Sequence, residues 1–162
     1  MWIKGDTDRL RAILNALAIV PRHEHPELPA VYASYLRDSR GLVVMEAVDG
    51  LRLRQVRDAH EEVAALRRHR SPYVRGAVIR YLQDFFPDEA IPLALASLQD
   101  RHFIVRESAV DALDALDAVG ALDAMRLLLN DPHPHVREAA QWAIEHLEAS
   151  AGDADRKHRK HM

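Results

Sequence analysis

Apolar residues along this chain return on a step of 31 positions. Val74, Val105 and Val136, each followed by an arginine, mark it most clearly, and extending the step backwards reaches Val43 and Ala12. Neighbouring columns keep the register. Four residues on lie Ala16, Ala47, Val78, Ala109 and Ala140, and eight residues on lie Val20, Leu51, Leu82, Leu113 and Ile144. Positions four and eight apart share one face of a helix, and a fixed period of this length is the signature of stacked repeats.

Each repeat reads as two helices. In residues 88–98 the residues Ile91, Ala94, Leu95 and Leu98 form one stripe at spacings of three and four. Gln99-Asp100-Arg101-His102 breaks it, and a second helix over 103–118 turns Val105, Ala109, Leu113 and Leu116 inward. The next pair runs over 121–129 and 136–147, separated by Asn130-Asp131-Pro132-His133-Pro134. Proline stops the first of these helices and Pro134 starts the second, while Gly120 offers a left-handed end to the helix before it. The earlier pairs are 28–37 with 42–52, and 58–68 with 72–85; a lone second-type helix covers 7–20, capped by Asp6 or Thr7. The pattern predicts about nine helices and no strand. Paired helices that cannot bury their faces alone stack into a right-handed α-solenoid. The all-α repeat domain spans residues 1–149, with repeats centred on Ala12, Val43, Val74, Val105 and Val136, and a flexible basic tail follows over 150–162.

Composition narrows the chemistry. Alanine (25) and leucine (20) dominate the 162 residues, which suits closely packed helices. The absence of cysteine removes disulfides, thiolate metal sites and a cysteine nucleophile. No apolar run reaches the roughly 18 residues of a membrane span, and the first residues lack a signal-peptide core. A cytoplasmic protein is the expectation.

The strings Asp100-Arg101-His102-Phe103-Ile104-Val105-Arg106-Glu107 and Asp131-Pro132-His133-Pro134-His135-Val136-Arg137-Glu138 resemble HEAT repeats, and more narrowly the short bacterial form found in phycobilin-lyase subunits. The resemblance implies a structural ladder in which an Asp ending the first helix and an Arg six residues later link neighbouring repeats. Asp100, Arg106, Asp131 and Arg137 fit it, His69/Arg75 keeps only the Arg, and Asp38/Val44 keeps only the Asp. It also implies that second helices line a concave face where partners bind. On that face the register places Leu14, Ala18 and Pro21, then Met45, Asp49 and Arg52, then Gly76, Arg80 and Gln83, then Glu107, Asp111 and Asp114, then Glu138, Trp142 and Glu145. Trp142 reads either as an anchor for a partner or as a cover over the end of the stack.

Charge is unevenly spread. Residues 52–80 hold eight arginines against three acids, and residues 81–149 hold four arginines against thirteen acids, within a net charge of −3. Such asymmetry selects complementary partners. The expectation is a non-enzymatic scaffold for protein–protein interaction, without cofactor or metal. Its partner carries a basic or amphipathic segment, and it serves as an assembly or regulatory subunit or as a toxin-neutralising protein. The partner-binding candidates are Met45, Asp49, Arg52, Arg80, Gln83, Glu107, Asp111, Asp114, Glu138, Trp142 and Glu145. Ten histidines invite a metal. Yet His102 and His133 fall in successive turns about 10 Å apart, and His133-Pro134-His135 finds no further ligand. His23-Glu24 and His60-Glu61 do not occupy equivalent repeat positions. No phosphate loop or hydrolase motif occurs. The alternative is nucleic-acid binding through Arg52, Arg54, Arg57, Arg67, Arg68, Arg70, Arg75 and Arg80, against which stand a pI near 6.4 and the acidic C-terminal stripe.

Overall fold

The computed structural model describes residues 3–21 and 23–159, with side chains placed for 5–21 and 23–152. The described residues hold nine α-helices and no strand: α1 (Ile3–Ala18), α2 (Leu28–Tyr35), α3 (Gly41–Leu53), α4 (His60–Ala65), α5 (Pro72–Phe85), α6 (Pro87–Ser97), α7 (Phe103–Ala115), α8 (Leu122–Leu127) and α9 (Pro134–Arg159). Short 3₁₀ turns follow α4 (Leu66–Arg68) and flank α8 (Val119–Ala121, Leu128–Asn130). None of the described helices is long and apolar enough to cross a membrane.

Local chemistry sets most boundaries. Proline opens α5, α6 and α9, where its missing N–H leaves no helical bond unmade. Before α3, α7 and α9 an aspartate accepts a hydrogen bond from the backbone two residues on: Arg40 N–H to Asp38, His102 N–H to Asp100, and His133 N–H to Asp131. Before α5 the Nδ1 of His69 takes this part, accepting from the Ser71 N–H at 3.0 Å. Two helices end on a non-glycine residue in the left-handed region, Gln55 after α3 (φ 58°) and Asp117 after α7 (φ 49°). The bonds Val56 N–H to Leu51 O and Ala118 N–H to Leu113 O close the two ends as Schellman motifs. The left-handed stop expected at Gly120 is therefore at Asp117. Gly120 lies instead within a 3₁₀ turn and has no positive φ.

The chain divides into two compact units, Met1–Phe85 and Phe86–Met162. In the first unit α3 packs against α1, α2 and α5, burying Val43, Val44, Ala47, Val48 and Leu51. Tyr32 on α2 is wholly buried, and its hydroxyl donates to the Leu14 carbonyl of α1. Gly50 is the residue that admits the Tyr32 ring, since a Cβ there would overlap it. Tyr81 on α5 donates to the Val56 and Arg57 carbonyls at 2.7 and 3.1 Å, and burial pushes its hydroxyl up to about 12. In the second unit α7 packs against α6 and α9, and α9 against α8. The core columns Val105, Ala109 and Leu113, and Val136, Ala140 and Ile144, are buried.

Two expectations about the ends differ. The register centred on Ala12 does not hold in α1. Leu14 and Ala18, placed on the outward stripe by the 31-residue step, are buried, whereas Ala12, Ile13 and Ala16 are exposed. Among the helices of its unit, α1 packs chiefly against α3, and its stripe at Leu10, Leu14 and Leu17 fits that single neighbour better than a repeat column needing two. At the other end α9 does not stop near Leu147. Residues 148–155 contain neither proline nor a left-handed stop, and the helix runs on through the first ten residues of the expected tail to Arg159. The basic side chains of that tail, and residues 160–162, lie outside the described set.

Candidate functional site

Positioning begins with the ladder. Arg106 on α7 grips Asp131 with two parallel bonds, Nε to Oδ2 and Nη2 to Oδ1, both 2.7 Å, while its Nη1 donates to the Asp100 carbonyl at 2.8 Å. One guanidinium thus closes its own turn and fastens the turn before α9. Burial alone would push the Asp131 carboxyl up, but Arg106 and the His133 N–H outweigh it and hold the group below the usual carboxylate range. Arg137 and Arg75 repeat the carbonyl half, donating to Asp131 O at 2.7 Å and His69 O at 2.8 Å. At Asp38 the partner position is the buried Val44, and the carboxylate pairs locally with Arg40 at 2.7 Å instead.

On the first unit, the predicted stripe residues of α3 and α5 are bound to one another. Arg80 holds Asp49 with two bonds of 3.2 and 2.8 Å, and Arg52 reaches Asp49 at 3.4 Å and Asp84 at 3.0 Å. Arg11 of α1 extends the network to the nearly buried Glu46, at 3.2 Å. Met45 and Gln83 flank it, half-buried. Asp49, Asp84 and Glu46 are each held by an arginine of a neighbouring helix here.

The same arginine-rich region was the candidate surface for nucleic acid, and the structure commits most of it elsewhere. Arg54 is 3% exposed and donates to the Leu17, Val20 and His25 carbonyls, satisfying the frayed end of α1 and the loop after it. It is a structural residue, out of reach of a phosphate. Arg57, Arg70 and Arg75 likewise donate to the carbonyls of Phe85, Ser39 and His69. The spacing of charges in the sequence carries no signal of this role, because the acceptors are backbone atoms.

On the second unit the equivalent columns look different. Glu107, Asp111 and Asp114 follow one another along α7, and Glu138, Trp142 and Glu145 along the neighbouring face of α9. Trp142 is 67% exposed. It lines an open groove of about 330 Å³ with Glu107, His135, Glu138 and Ala139. Further along, His146 Nδ1 meets Asp114 Oδ1 at 2.7 Å, tying α9 to α7. That bond to Asp114 raises the His146 imidazole above its ordinary value, helped by Asp117. Gln141 donates to Glu145 at 3.1 Å. Among the described residues no arginine pairs with Glu107, Asp114, Glu138 or Glu145. The face is therefore negative, with one exposed indole in its midst.

Sequence reasoning missed a larger hollow of about 590 Å³ in the first unit, lined by Ala33, Leu36, Ala65 and Leu66 with Arg37, Glu61 and Glu62 at its edge. These residues belong to α2, α4 and the turns that follow them, the first helices of their pairs, where no charge pattern marked them. No group of three or more metal-ligating side chains occurs among the described residues.

Helix pairs repeated at 31 residues, with an Asp–Arg link from one turn to the next, define an all-α repeat protein. A family model of HEAT repeats matches residues 63–145, half of the chain, and the chain belongs to that family. No curated protein matches it. HEAT repeats generally serve as scaffolds for protein interaction.

Proposed function

We propose that this chain is a non-enzymatic interaction module that docks a partner protein on the α7–α9 face of its second unit. The carrying observation is Trp142, a large aromatic ring left exposed in a groove beside Glu107 and Glu138. Exposed aromatic anchors that fill or form pockets dominate the energetics of protein interfaces, and the surrounding carboxylates favour a partner whose contacting segment is basic or amphipathic. Fastening by Arg106 and Asp131 keeps this face largely pre-formed, which lowers the ordering cost of binding. An assembly or regulatory subunit, or a neutraliser of a basic protein, both work through such a surface. The first-unit candidates Asp49, Arg52 and Arg80 support this reading less, because their charges are already paired.

Capture on immobilised protein tests the proposal. Wild type is compared with a variant carrying Asp111→Lys, Asp114→Lys and Trp142→Ala together. A protein retained by the wild type and released by the variant supports the face, and equal retention by both discards it.

A further inference from the structure

The α7–α9 face carries carboxylates at repeat-equivalent positions of its two helices. Glu107 and Glu138 are repeat-equivalent, 31 residues apart, and both line the groove beside the Trp142 indole. Asp114 and Glu145 are the next equivalent pair, seven residues further along each helix. The His146–Asp114 contact at 2.7 Å shows that α7 and α9 face each other there too, and a cation arriving at Asp114 shares that carboxylate with His146. Seven residues of helix advance about 10 Å. On an extended segment in the polyproline II conformation, with three residues per turn and about 3.1 Å of rise per residue, side chains at i and i+3 share one face about 9 Å apart.

We infer that the groove reads an extended basic segment of a partner protein through two arginines spaced i and i+3, one guanidinium between Glu107 and Glu138 against the Trp142 ring, the other at Asp114 and Glu145. This rests on the docking face proposed above and names what that face recognises. Arginine suits the sites better than lysine, because a planar guanidinium stacks on an indole while donating forked bonds to carboxylates. The first unit supplies the internal precedent, since Arg80 occupies the column of Trp142 and is held by both oxygens of Asp49. The chain's own tail also contains Arg156 and Arg159. Both lie within α9, where three residues advance only about 4.5 Å, so a foreign segment fits the separation and the tail does not.

The test uses the full chain with Trp2→Phe, which leaves Trp142 as the one tryptophan, and reads its emission while short glycine–serine peptides are added. Peptides carry two arginines at i,i+3, two at i,i+1, a single arginine, or two citrullines at i,i+3. The inference expects saturable binding of the i,i+3 peptide, at least about fivefold tighter than i,i+1 or single arginine and about tenfold tighter than citrulline. Asp114→Asn removes the spacing preference and brings the i,i+3 peptide down to the single-arginine affinity, and Glu138→Gln weakens every arginine peptide. No saturable response, or binding indifferent to spacing, overturns the inference. A captured partner released by Trp142→Ala alongside peptides without preference overturns it while leaving the docking face standing. Peptides that show the preference support it whatever the capture experiment returns. Sedimentation of the full chain checks the source: a monomer supports a foreign segment, and self-association lost on removing residues 153–162 overturns that assignment.

Discussion

In the first unit Asp49 of α3 lies opposite Arg80 of α5, and in the second the same repeat positions hold Asp111 of α7 and Trp142 of α9. One turn earlier Met45 and Gly76 correspond to Glu107 and Glu138, and one turn later Arg52 and Gln83 correspond to Asp114 and Glu145. The backbone framework is the same, with second-type helices side by side. The first unit uses its charges to join neighbouring helices, through Arg11–Glu46, Arg80–Asp49 and Arg52–Asp84. The second joins its helices through a buried pair in the turns, Arg106–Asp131, with the more exposed His146–Asp114 and Arg126–Glu148 contacts beside it, and lines the α7–α9 groove with Glu107 and Glu138. Neighbouring like charges on a helix cost only about 0.2–0.5 kcal/mol each, so the acidic run along α7 and α9 is compatible with a stable unit.

The largest effect should come from cutting the link in the second unit. Arg106→Ala leaves Asp131 buried without its cation, and removal of one partner of a buried pair costs about 3–5 kcal/mol; the side chains of Arg106 and Asp131 are only 12% and 4% exposed. Urea unfolding followed by circular dichroism measures it, and a loss below about 1 kcal/mol would put the weight of the second unit elsewhere. Next comes Gly50→Ala in the first unit, where the added methyl meets the Tyr32 ring. Overpacking of this kind costs about 1–3 kcal/mol, visible as a lower urea midpoint at unchanged slope.

Smaller still is the exchange that makes the two units alike. Trp142→Arg places a guanidinium in the column that Arg80 occupies, on the helix beside Asp111. As an exposed substitution it should change stability by no more than about 1 kcal/mol while abolishing partner capture. Loss of capture with stability preserved separates docking from folding, and retained capture would erase the distinction between the two faces.

The two histidines give the subtlest contrast. Burial, with Arg70 and Arg75 nearby, holds His69 of the first unit below its ordinary value, whereas the bond to Asp114 holds His146 above it. A lowered histidine contributes stability that is present above about pH 6.5 and lost as pH falls through its folded-state value; a raised one contributes stability that is complete below about 6.5 and lost as pH rises through its folded-state value. Imidazole proton shifts followed by NMR should show His146 titrating above His69, and Asp114→Asn should bring His146 back towards its ordinary value without moving His69.

The helix pairs were legible because their cause is periodic: one residue type recurring every 31 positions reports a shared neighbour in each layer, and α5 begins and ends where the pattern places it. The register failed at α1, where the layer that would cover Ala12 and Ala16 is not present among the described helices, so Leu14 and Ala18 turn inward instead. Stops set by backbone geometry were harder to read. Asp117 takes a left-handed conformation that glycine would adopt more easily, while Gly120 does not use its freedom. At the candidate site the acidic residues and Trp142 could be named from their columns. That Asp49, Arg52 and Arg80 pair with each other, and that Arg54 is buried against carbonyls, depends on helix neighbours and backbone acceptors that a charge count does not reveal.

The central claim is that Trp142 stands in water within a negative field. In the Trp2→Phe chain, collisional quenching of the remaining tryptophan by caesium and by iodide ions at matched ionic strength measures both properties at once. The account predicts emission typical of a water-exposed indole, quenched more efficiently by caesium than by iodide, with the preference reversed by Glu107→Lys and Glu138→Lys together. Emission typical of a buried ring, or equal quenching by both ions in the unaltered face, would contradict it.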